Sequence, residues 1–294
     1  MAQRIDGKAQ AKDLRDRVAV AAAAVMDAAG RMPGLGVVLV GEDPASQVYV
    51  RNKVKLTKAA GMVSVERRLP ASASQADVEA EIDALNADPS IDGILLQLPL
   101  PKGLDADAAI ARIDPSKDVD GLTEISAGRL VLGRPGFQPC TPVGSVLLAK
   151  SIHPDLTGMD AVVIGRSILV GKPLALLLQA ENATVTMAHS RSRNLQSICQ
   201  RADLLFVAAG RPALIPGSYV KPGATVIDIG INRIDDGQGG SKLVGDVDYE
   251  GAAAVAGAIT PVPGGVGPMT IACLLRNTVL AAVSRLGLET PPDL

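Results

Sequence analysis

The fold is decided by the stretch Ala161-Val162-Val163-Ile164-Gly165-Arg166-Ser167-Ile168-Leu169-Val170-Gly171-Lys172-Pro173. An apolar strand, a glycine turn and the start of an apolar helix follow one another, as in the first βα unit of a dinucleotide-binding sheet. The turn is not a Walker A loop, because five residues separate its glycines where that motif has four, and Pro173 replaces the magnesium-binding Ser or Thr. The glycine spacing alone is a weak signal, so a turn needed only for packing remains an alternative.

Strands and helices alternate on both sides of this stretch, which predicts an α/β fold. The predicted strands are residues 35–40, 62–69, 91–98, 161–164, 184–187, 203–207 and 225–229. The predicted helices are residues 6–29, 44–60, 74–86, 142–150, 174–178 and 268–286. Short apolar strands between helices favour parallel sheets that are covered on both faces. The segment 99–141 is rich in Pro, Gly and Asp, and it marks a boundary between two domains.

The composition argues against several classes of protein. The 294 residues are 47% hydrophobic, enough for one large domain or two modest ones. A net charge of −2, 2% aromatic residues and no Trp argue against nucleic-acid binding. Two His and three scattered cysteines (Cys140, Cys199 and Cys273) predict no metal site and reduced thiols in a cytoplasmic protein. Without a signal peptide or an uncharged apolar run of ~20 residues, no membrane segment is expected.

The second strand of the C-terminal half is followed by a hydroxyl and a cation rather than by a carboxylate. In NAD-binding folds an Asp or Glu at this place binds the ribose 2′-hydroxyl. Here Ser190 and Arg191 follow the strand, and Arg166 adds a cation from the glycine turn. Two guanidinium groups and a serine suit a 2′-phosphate, because Arg binds phosphate oxygens in bidentate fashion. The pattern predicts NADP rather than NAD, the alternative being that Arg191 and Arg193 are solvated loop charges.

Two further glycine-containing segments are expected near ligands. The stretch Asp228-Ile229-Gly230-Ile231-Asn232 ends a later strand, and carboxyl ends of strands line the ligand crevice of a doubly wound sheet. Gly230 would permit close approach and Ile231 apolar contact, although an ordinary strand exit is an alternative. Residues 260–270 contain three glycines and three prolines, which stiffen a loop and allow a ligand to approach it closely.

The N-terminal half places polar residues where ligands are expected. Tyr49 and Lys53 are four residues apart on a predicted helix and share a face, where burial would tune the lysine as an acid or base. Gln97 ends a buried strand that we expect to be central, and Lys53 is its expected partner. Asp120, within Lys117-Asp118-Val119-Asp120-Gly121, suits the paired N–H donors of a flat heterocycle such as a pterin. Each of these residues also has a purely structural alternative. Lys53 fits a surface lysine that packs over the Tyr49 ring, and Gln97 fits a local cap of backbone groups. Asp120 fits a common Asp-Gly turn.

Several segments together closely resemble the bifunctional methylenetetrahydrofolate dehydrogenase/methenyltetrahydrofolate cyclohydrolase (FolD) family. The matches occur in family order from about residue 46 to about residue 271, and the length fits end to end. They are YVRNKVK (49–55), GILLQLPLP (93–101), KDVDG (117–121), PCTP (139–142), GRS (165–167), VGKP (170–173), DIGIN (228–232) and PGGVGPMT (263–270).

The resemblance implies a particular architecture and reaction. Two domains would surround a cleft. The folate-binding catalytic domain would comprise residues 1–140, joined by a C-terminal helix at about 276–294. The Rossmann-type NADP-binding domain would comprise residues 141–275. The implied activity is NADP-dependent oxidation of 5,10-methylene-tetrahydrofolate to 5,10-methenyl-tetrahydrofolate, then hydrolysis to 10-formyl-tetrahydrofolate in the same cleft. A homodimer formed through the cofactor domains is implied too, as is a place in one-carbon metabolism and purine biosynthesis.

The resemblance also implies roles for individual residues. Lys53 would be the central catalytic group of the hydrolysis, with Gln97 orienting it, Tyr49 near the folate ring and Asp120 on the pterin edge. The residues implied in cofactor binding are Gly165, Arg166, Ser167, Ser190, Arg191 and Ile231. Gly264 and Gly265 would border the folate and the nicotinamide.

One segment departs from the family pattern. After Asp120-Gly121 the family usually has Phe or Leu, then His-Pro and an Asn before the next Gly, whereas residues 122–128 are LTEISAG. This departure leaves Lys53 and Gln97 unchanged but keeps open a dehydrogenase with weak cyclohydrolase activity. Two further hypotheses stay open: a non-catalytic NADP-binding sensor, and a two-domain NADP oxidoreductase that acts on an amino or hydroxy acid.

Overall fold

The computed structural model describes residues 2–235, 237 and 240–294, which form two compact units. Unit 1 comprises the described residues up to Ala11 together with Pro139–Thr270. Unit 2 comprises Lys12–Gln138 and Ile271–Leu294. The predicted domain ranges differ from these units mainly at residues 2–11, which belong to unit 1.

The described residues form strands and helices in alternation, as an α/β fold requires. The strands are β1 (Gln3–Arg4), β2 (Gly34–Val40), β3 (Val63–Leu69), β4 (Gly93–Leu96), β5 (Asp160–Ile164), β6 (Thr184–Ala188), β7 (Leu204–Val207), β8 (Thr225–Asp228), β9 (Asn232–Asp235), β10 (Ser241–Val244) and β11 (Ala258–Ile259). The helices are α1 (Gly7–Ala29), α2 (Pro44–Ala59), α3 (Gln75–Ala87), α4 (Ala106–Ala111), α5 (Glu124–Val131), α6 (Cys140–Lys150), α7 (Gly171–Ala180), α8 (Leu195–Cys199), α9 (Tyr249–Ala253) and α10 (Val266–Arg285).

Unit 1 is built on a six-stranded parallel sheet in the order β1-β11-β8-β7-β5-β6. From β5 the chain passes through α7 to β6 on one side, and it then crosses to β7 on the other side of β5. This reversal between β5 and β7 is a topological switch point, where doubly wound sheets bind their ligands. Strand β7 is buried along its whole length, which explains its unbroken apolar sequence. The predicted Rossmann-type sheet is confirmed.

Unit 2 contains a three-stranded parallel sheet in the order β3-β2-β4. The expectation that the strand before Gln97 is central is wrong, because β4 lies at the edge of this sheet. Its outer side is nevertheless covered: the Ile94 N–H donates to the carbonyl of Lys117 over 2.8 Å. A Cβ at Gly93 would lie 2.6 Å from Cγ1 of Val119. This cover explains why β4 is fully buried and resembles a central strand in sequence.

Side-chain caps fix the starts of the helices in unit 2. At α2, a carboxylate oxygen of Asp43 accepts a hydrogen bond from the backbone N–H of Ser46 over 2.7 Å. At α3, Ser74 and Asp77 cap each other's backbone N–H groups in a reciprocal capping box. The Asp43 cap sets where α2 begins, and with it the positions of the side chains that α2 carries.

Lys117 closes the opposite end of α3. Its side chain is fully buried, and its Nζ donates to the carbonyl oxygens of Leu85, Asn86 and Asp88 over 2.8–2.9 Å. These carbonyls end a helix and lack intrahelical partners, so a cation is well placed there. Burial lowers the pKa of Lys117. The lysine therefore holds the segment after it against the end of α3.

Most elements that were not predicted lie in segments without clear periodicity. Helices α4 and α5 lie within residues 99–141, and β9 pairs with β10 as an antiparallel hairpin. The predicted strand 91–98 is only four residues long, and α6 begins at Cys140 rather than at residue 142. Short elements of this kind form through local caps and tertiary contacts, which hydrophobic periodicity does not report.

Helix α10 is long and apolar enough, by length and composition alone, to cross a membrane. However, 72% of its apolar window is buried inside the protein. Within unit 2, Asn277 of this helix donates to the carbonyl oxygens of Val119 and Gln138 over 2.9 and 3.2 Å. Such burial and contacts are typical of a core helix.

Candidate active site

Lys53 and Gln97 join helix α2 to the loop after β4. Lys53 Nζ donates a hydrogen bond to Gln97 Oε1 over 2.9 Å, and Gln97 Nε2 donates to the carbonyl of Leu98 over 2.6 Å. Only 8% of Lys53 is exposed. The predicted contact between the lysine and the glutamine is confirmed, and a nearly buried amine oriented by an amide is suited to move protons.

The backbone around this pair fixes where the two side chains lie. The Gln97 N–H donates to the carbonyl of Val38 over 2.9 Å, which continues the β2–β4 pairing one residue beyond β4. On α2, the Thr57 hydroxyl donates to the carbonyl of Lys53 over 2.8 Å. Both side chains therefore start from regular, well-bonded backbone.

Tyr49 lies one turn before Lys53 on the same face of α2. The residue is 37% exposed, and burial of the remainder raises the pKa of its hydroxyl. The phenol therefore stays protonated at neutral pH. It offers a hydrogen-bond donor and a flat apolar ring beside the lysine.

The two carboxylates of the segment 117–121 serve different purposes. Asp118 is buried and accepts hydrogen bonds from Leu122 N, Thr123 N and Ser126 Oγ over 3.0, 2.9 and 2.6 Å. These bonds fold the following residues around the carboxylate. Asp120 is half-buried in the same loop, so it is the carboxylate of the two that a ligand can reach.

The segment that departs from the family pattern is well ordered by its own side chains. Thr123 caps helix α5, because its Oγ1 accepts a hydrogen bond from Ser126 N over 3.2 Å. The same serine hydroxyl donates to Asp118. The altered residues thus build a short helix that supports the loop containing Asp120.

In unit 1, the glycine turn after β5 lies at the switch point of the sheet. Gly165 has φ +124°, and a Cβ there would collide with the carbonyl oxygen of Ala208, which follows β7. Ser167 Oγ accepts from Val170 N over 3.1 Å, which satisfies the backbone before α7. The N–H groups of residues 166–169 make no hydrogen bond within the described part of the chain. Residues 166–169 are exposed, so an anion can reach these N–H groups.

The segment that follows β6, residues 189–193, is called the tip below, and it carries exposed polar side chains. Ser190 and Arg191 are both exposed. The guanidinium groups of Arg166, Arg191 and Arg193 make no hydrogen bond or ion pair with any residue that the structure describes. Unit 1 therefore presents unpaired cations on the glycine turn and on the tip, where a 2′-phosphate was predicted.

Two buried carboxylates hold the loops at the carboxyl edge of the sheet in unit 1. Asp228 accepts hydrogen bonds from the backbone N–H groups of Gly230, Asp246 and Val247, each over 3.0 Å. Asp246 accepts from the N–H groups of residues 209–211 over 2.6–2.9 Å. Burial raises the pKa of Asp228 to about 6. The loops after β7 and β8 are thus fixed to each other.

The remaining predicted residues of unit 1 lie in loops. Ile231 is 44% exposed beside the loop fixed by the buried carboxylates. Gly264 has φ +107°, and a Cβ there would lie 3.3 Å from Cε of Lys8. A Cβ at Gly265 would lie 2.7 Å from the carbonyl oxygen of Pro261. The second glycine is therefore required by the packing of its own loop.

Comparison with known families covers both units. The catalytic-domain model of tetrahydrofolate dehydrogenase/cyclohydrolase matches residues 5–120, and the NAD(P)-binding-domain model of the same enzymes matches residues 139–286. The chain belongs to the tetrahydrofolate dehydrogenase/cyclohydrolase family.

Relatives of this tetrahydrofolate dehydrogenase/cyclohydrolase match it over nearly its whole length. A bifunctional protein FolD from Hyphomonas neptunium is 65% identical over 100% of this chain and 99% of the relative. The FolD structure from Campylobacter jejuni is 43% identical, covers 97% of this chain and 100% of that chain, and has a TM-score of 0.93. The Trypanosoma brucei FolD, complexed with NADP cofactor and inhibitor, is 38% identical, covers 97% and 98%, and also has a TM-score of 0.93.

In this tetrahydrofolate dehydrogenase/cyclohydrolase, the predicted site residues divide between the two units. Tyr49, Lys53, Gln97 and Asp120 lie in unit 2. The cofactor-side residues lie in unit 1: Gly165, Arg166, Ser167, Ser190, Arg191, Ile231, Gly264 and Gly265. Direct contact is established between Lys53 and Gln97, while the roles of all these residues in binding and catalysis stay predictions.

Sequence reasoning missed three residues that organise the two sites. Asp118 and Lys117 stood inside a recognised motif but were not given a role, although both are buried and fully engaged. Asp246 was not singled out at all. Its only signal is a Gly-Asp pair after a short polar segment, which is too common to predict a carboxylate that binds a distant loop.

Proposed function

We propose that this chain oxidises 5,10-methylene-tetrahydrofolate with NADP, then hydrolyses the methenyl product to 10-formyl-tetrahydrofolate with Lys53 as the central catalytic residue. The two reactions are those of the tetrahydrofolate dehydrogenase/cyclohydrolase family, and the cofactor is NADP. The observation that carries the role of Lys53 is its hydrogen bond to Gln97 at the end of β4, with 8% of the lysine exposed.

The residues of unit 1 fit NADP. The unpaired N–H groups of residues 166–169 suit the diphosphate, and Gly165 admits close approach because no side chain fits there. Ser190, Arg191 and Arg166 suit the 2′-phosphate. When bound, NADP supplies a nicotinamide ring that accepts a hydride from the methylene carbon of the folate. The chain's own contribution to this oxidation is to bind and orient, with Ile231 offering an apolar contact.

The hydrolysis requires one water and one acid/base group, because the methenyl product is an amidinium-like cation that is already electrophilic. Water attacks the methenyl carbon and the bond from that carbon to N5 breaks, which leaves the formyl group on N10. Neutral Lys53 takes a proton from the water, and a proton is returned to N5. One proton is released overall, so the charge of the cation is balanced.

The neighbouring side chains orient the lysine and the folate. Gln97 Oε1 accepts a hydrogen bond from Lys53 Nζ and so orients the amine. Tyr49, on the same face of α2, packs against the folate ring. Asp120 accepts hydrogen bonds from the pterin edge, while Asp118 keeps its loop in place.

A homodimer associating through unit 1 accompanies this function. Strand β6 lies at the edge of the six-stranded sheet and has no strand on its outer side within the described residues. Thr184 and Met187 of this strand are exposed, and an open strand edge is a template for pairing with a second copy. Sedimentation equilibrium over a range of protein concentrations tests it, and a monomer at all concentrations would contradict it.

The setting proposed for this activity is cytoplasmic one-carbon metabolism, including purine biosynthesis. The three cysteines are buried and form no disulfide within the part of the chain that the structure describes, which suits a reducing compartment. Tetrahydrofolate derivatives are the proposed partners, without nucleic acid or membrane. Cell fractionation with an antibody against the chain tests the location, and recovery from another compartment would contradict it.

The proposed function is tested with purified protein, 5,10-methylene-tetrahydrofolate, and NADP or NAD in parallel. Reduction of NADP without build-up of methenyl product is expected, because hydrolysis keeps pace with oxidation. Reduction with persistent methenyl product would contradict the second activity and indicate a dehydrogenase only. If a folded sample reduces neither cofactor, the enzymatic function is contradicted and a cofactor-binding sensor is favoured.

A further inference from the structure

The imidazole of His189 holds the tip that follows β6. Its Nδ1 accepts a hydrogen bond from the backbone N–H of Arg191 over 3.2 Å. The His189 N–H donates to Ser192 Oγ over 3.0 Å, and the Ser192 N–H donates back to the His189 carbonyl over 2.8 Å. Three bonds to one residue therefore define the path of the chain through Ser190 and Arg191.

The tip is also tied to the glycine turn of the same unit. The Gly165 N–H donates to the carbonyl of Ala188, the last residue of β6, over 2.8 Å. His189 is the next residue and is half-buried. The start of the tip is thus fixed relative to the turn that carries Arg166, and the imidazole fixes the part of the tip that carries Arg191.

The group that accepts the Arg191 N–H is neutral, which matters because the proposed ligand at the tip, a 2′-phosphate, is negatively charged. Because Nδ1 accepts a hydrogen bond, the ring proton is on Nε2 and the imidazole is uncharged. A carboxylate would also accept the Arg191 N–H, but it would place a negative charge beside a 2′-phosphate and repel it. An imidazole orders the tip without that repulsion.

We propose that His189 is a specificity-determining positioning residue, which selects NADP over NAD by holding the backbone of Arg191 through a neutral acceptor. This inference rests on the proposed function, in which Ser190 and Arg191 bind the 2′-phosphate. The imidazole acts through Arg191 and need not touch the cofactor. Losing it frees the tip and weakens recognition of the 2′-phosphate, whereas recognition of the rest of the nucleotide is retained.

The test compares the affinities of the full-length protein for 2′,5′-ADP and 5′-ADP, which differ only in the 2′-phosphate. His189→Leu removes the acceptor, and His189→Asn keeps a neutral acceptor at a similar distance from the backbone. His153→Leu is the matched control, because it changes the other histidine of the chain, whose Nε2 lies 2.9 Å from Thr225 Oγ1. Thermal unfolding of each variant establishes that it is folded.

We expect His189→Leu to lower the preference for 2′,5′-ADP about tenfold, with affinity for 5′-ADP unchanged. His189→Asn should restore most of the preference, and His153→Leu should keep all of it. Equal weakening of both nucleotides in His189→Leu would overturn the inference, because it would show a merely structural role. An unchanged preference, or failure of Asn to rescue it, would overturn it too. The proposed function fails separately, if the unmodified protein shows no preference for 2′,5′-ADP or if Arg191→Ala retains it.

Discussion

The amine of Lys53 and the amide oxygen of Gln97 are 2.9 Å apart, so the middle of α2 is linked to the residue just after β4. The two residues are 44 positions apart in the chain, and the contact depends on the parallel pairing of β2 with β4. An amide orients the amine without adding charge. The nature of this partner should therefore control the proton transfer that hydrolysis requires.

Replacing Gln97 by glutamate tests that control. Gln97→Glu places a carboxylate against Lys53 Nζ and favours the charged amine. We expect hydrolysis of the methenyl substrate at neutral pH to fall by about tenfold or more, and its pH–rate profile to move to higher pH. Gln10→Glu, at an exposed position of α1, is the control and should change neither. An unmoved profile in Gln97→Glu would show that this contact does not tune the lysine.

The two carboxylates after Lys117 should separate stability from binding. Asp118→Asn weakens three hydrogen bonds, two of them buried, and should lower the free energy of unfolding by about 2 kcal/mol. Asp120→Asn should raise the KM for the folate about tenfold, because an amide accepts the paired N–H donors of the pterin less well than a carboxylate does. Denaturant unfolding and steady-state kinetics measure the two effects. A KM effect confined to Asp118→Asn would contradict the assignment of Asp120 to the pterin.

Asp228 predicts a definite pH dependence of stability. Burial raises its folded-state pKa to about 6 from 3.8, so the folded protein holds this proton more tightly than the unfolded chain does. Its contribution to stability is complete below about pH 4 and is lost as the pH rises through 6, a change of about 3 kcal/mol. In Asp228→Asn the side chain is an amide that does not titrate, so this contribution does not change with pH. The difference in unfolding free energy between wild type and variant should therefore fall over this window, and a constant difference would contradict the raised pKa.

Gly165 should be intolerant of a side chain. In Gly165→Ala the new Cβ would collide with the Ala208 carbonyl at a φ that suits only glycine, so unfolding should become easier by at least about 3 kcal/mol. Gly158→Ala is the matched control, because Gly158 has φ +74° and no atom within 4 Å of the added Cβ. It should cost about 1 kcal/mol. Equal losses in the two variants would show that only the backbone angle matters at the turn after β5.

Parts of the site were predictable because they depend on local geometry. Helical spacing placed Tyr49 and Lys53 on one face, and the polar residue at the end of an apolar strand indicated Gln97. The edge position of β4 was not predictable, since a strand covered by residues 117–119 has the same apolar sequence as a central one. The bonds from residues 209–211 to Asp246 were not predictable either. They pair backbone N–H groups, which every residue except proline has, with a carboxylate about 35 positions away.

The role of Lys53 is tested most directly by measuring oxidation and hydrolysis separately in Lys53→Met. Methionine keeps much of the side-chain volume but cannot transfer a proton. Lys58→Met, at an exposed position of the same helix, is the control. We predict that hydrolysis of 5,10-methenyl-tetrahydrofolate falls by about 10²–10⁴-fold, while reduction of NADP with 5,10-methylene-tetrahydrofolate persists and methenyl product accumulates. Hydrolysis at the wild-type rate in folded Lys53→Met would contradict the account.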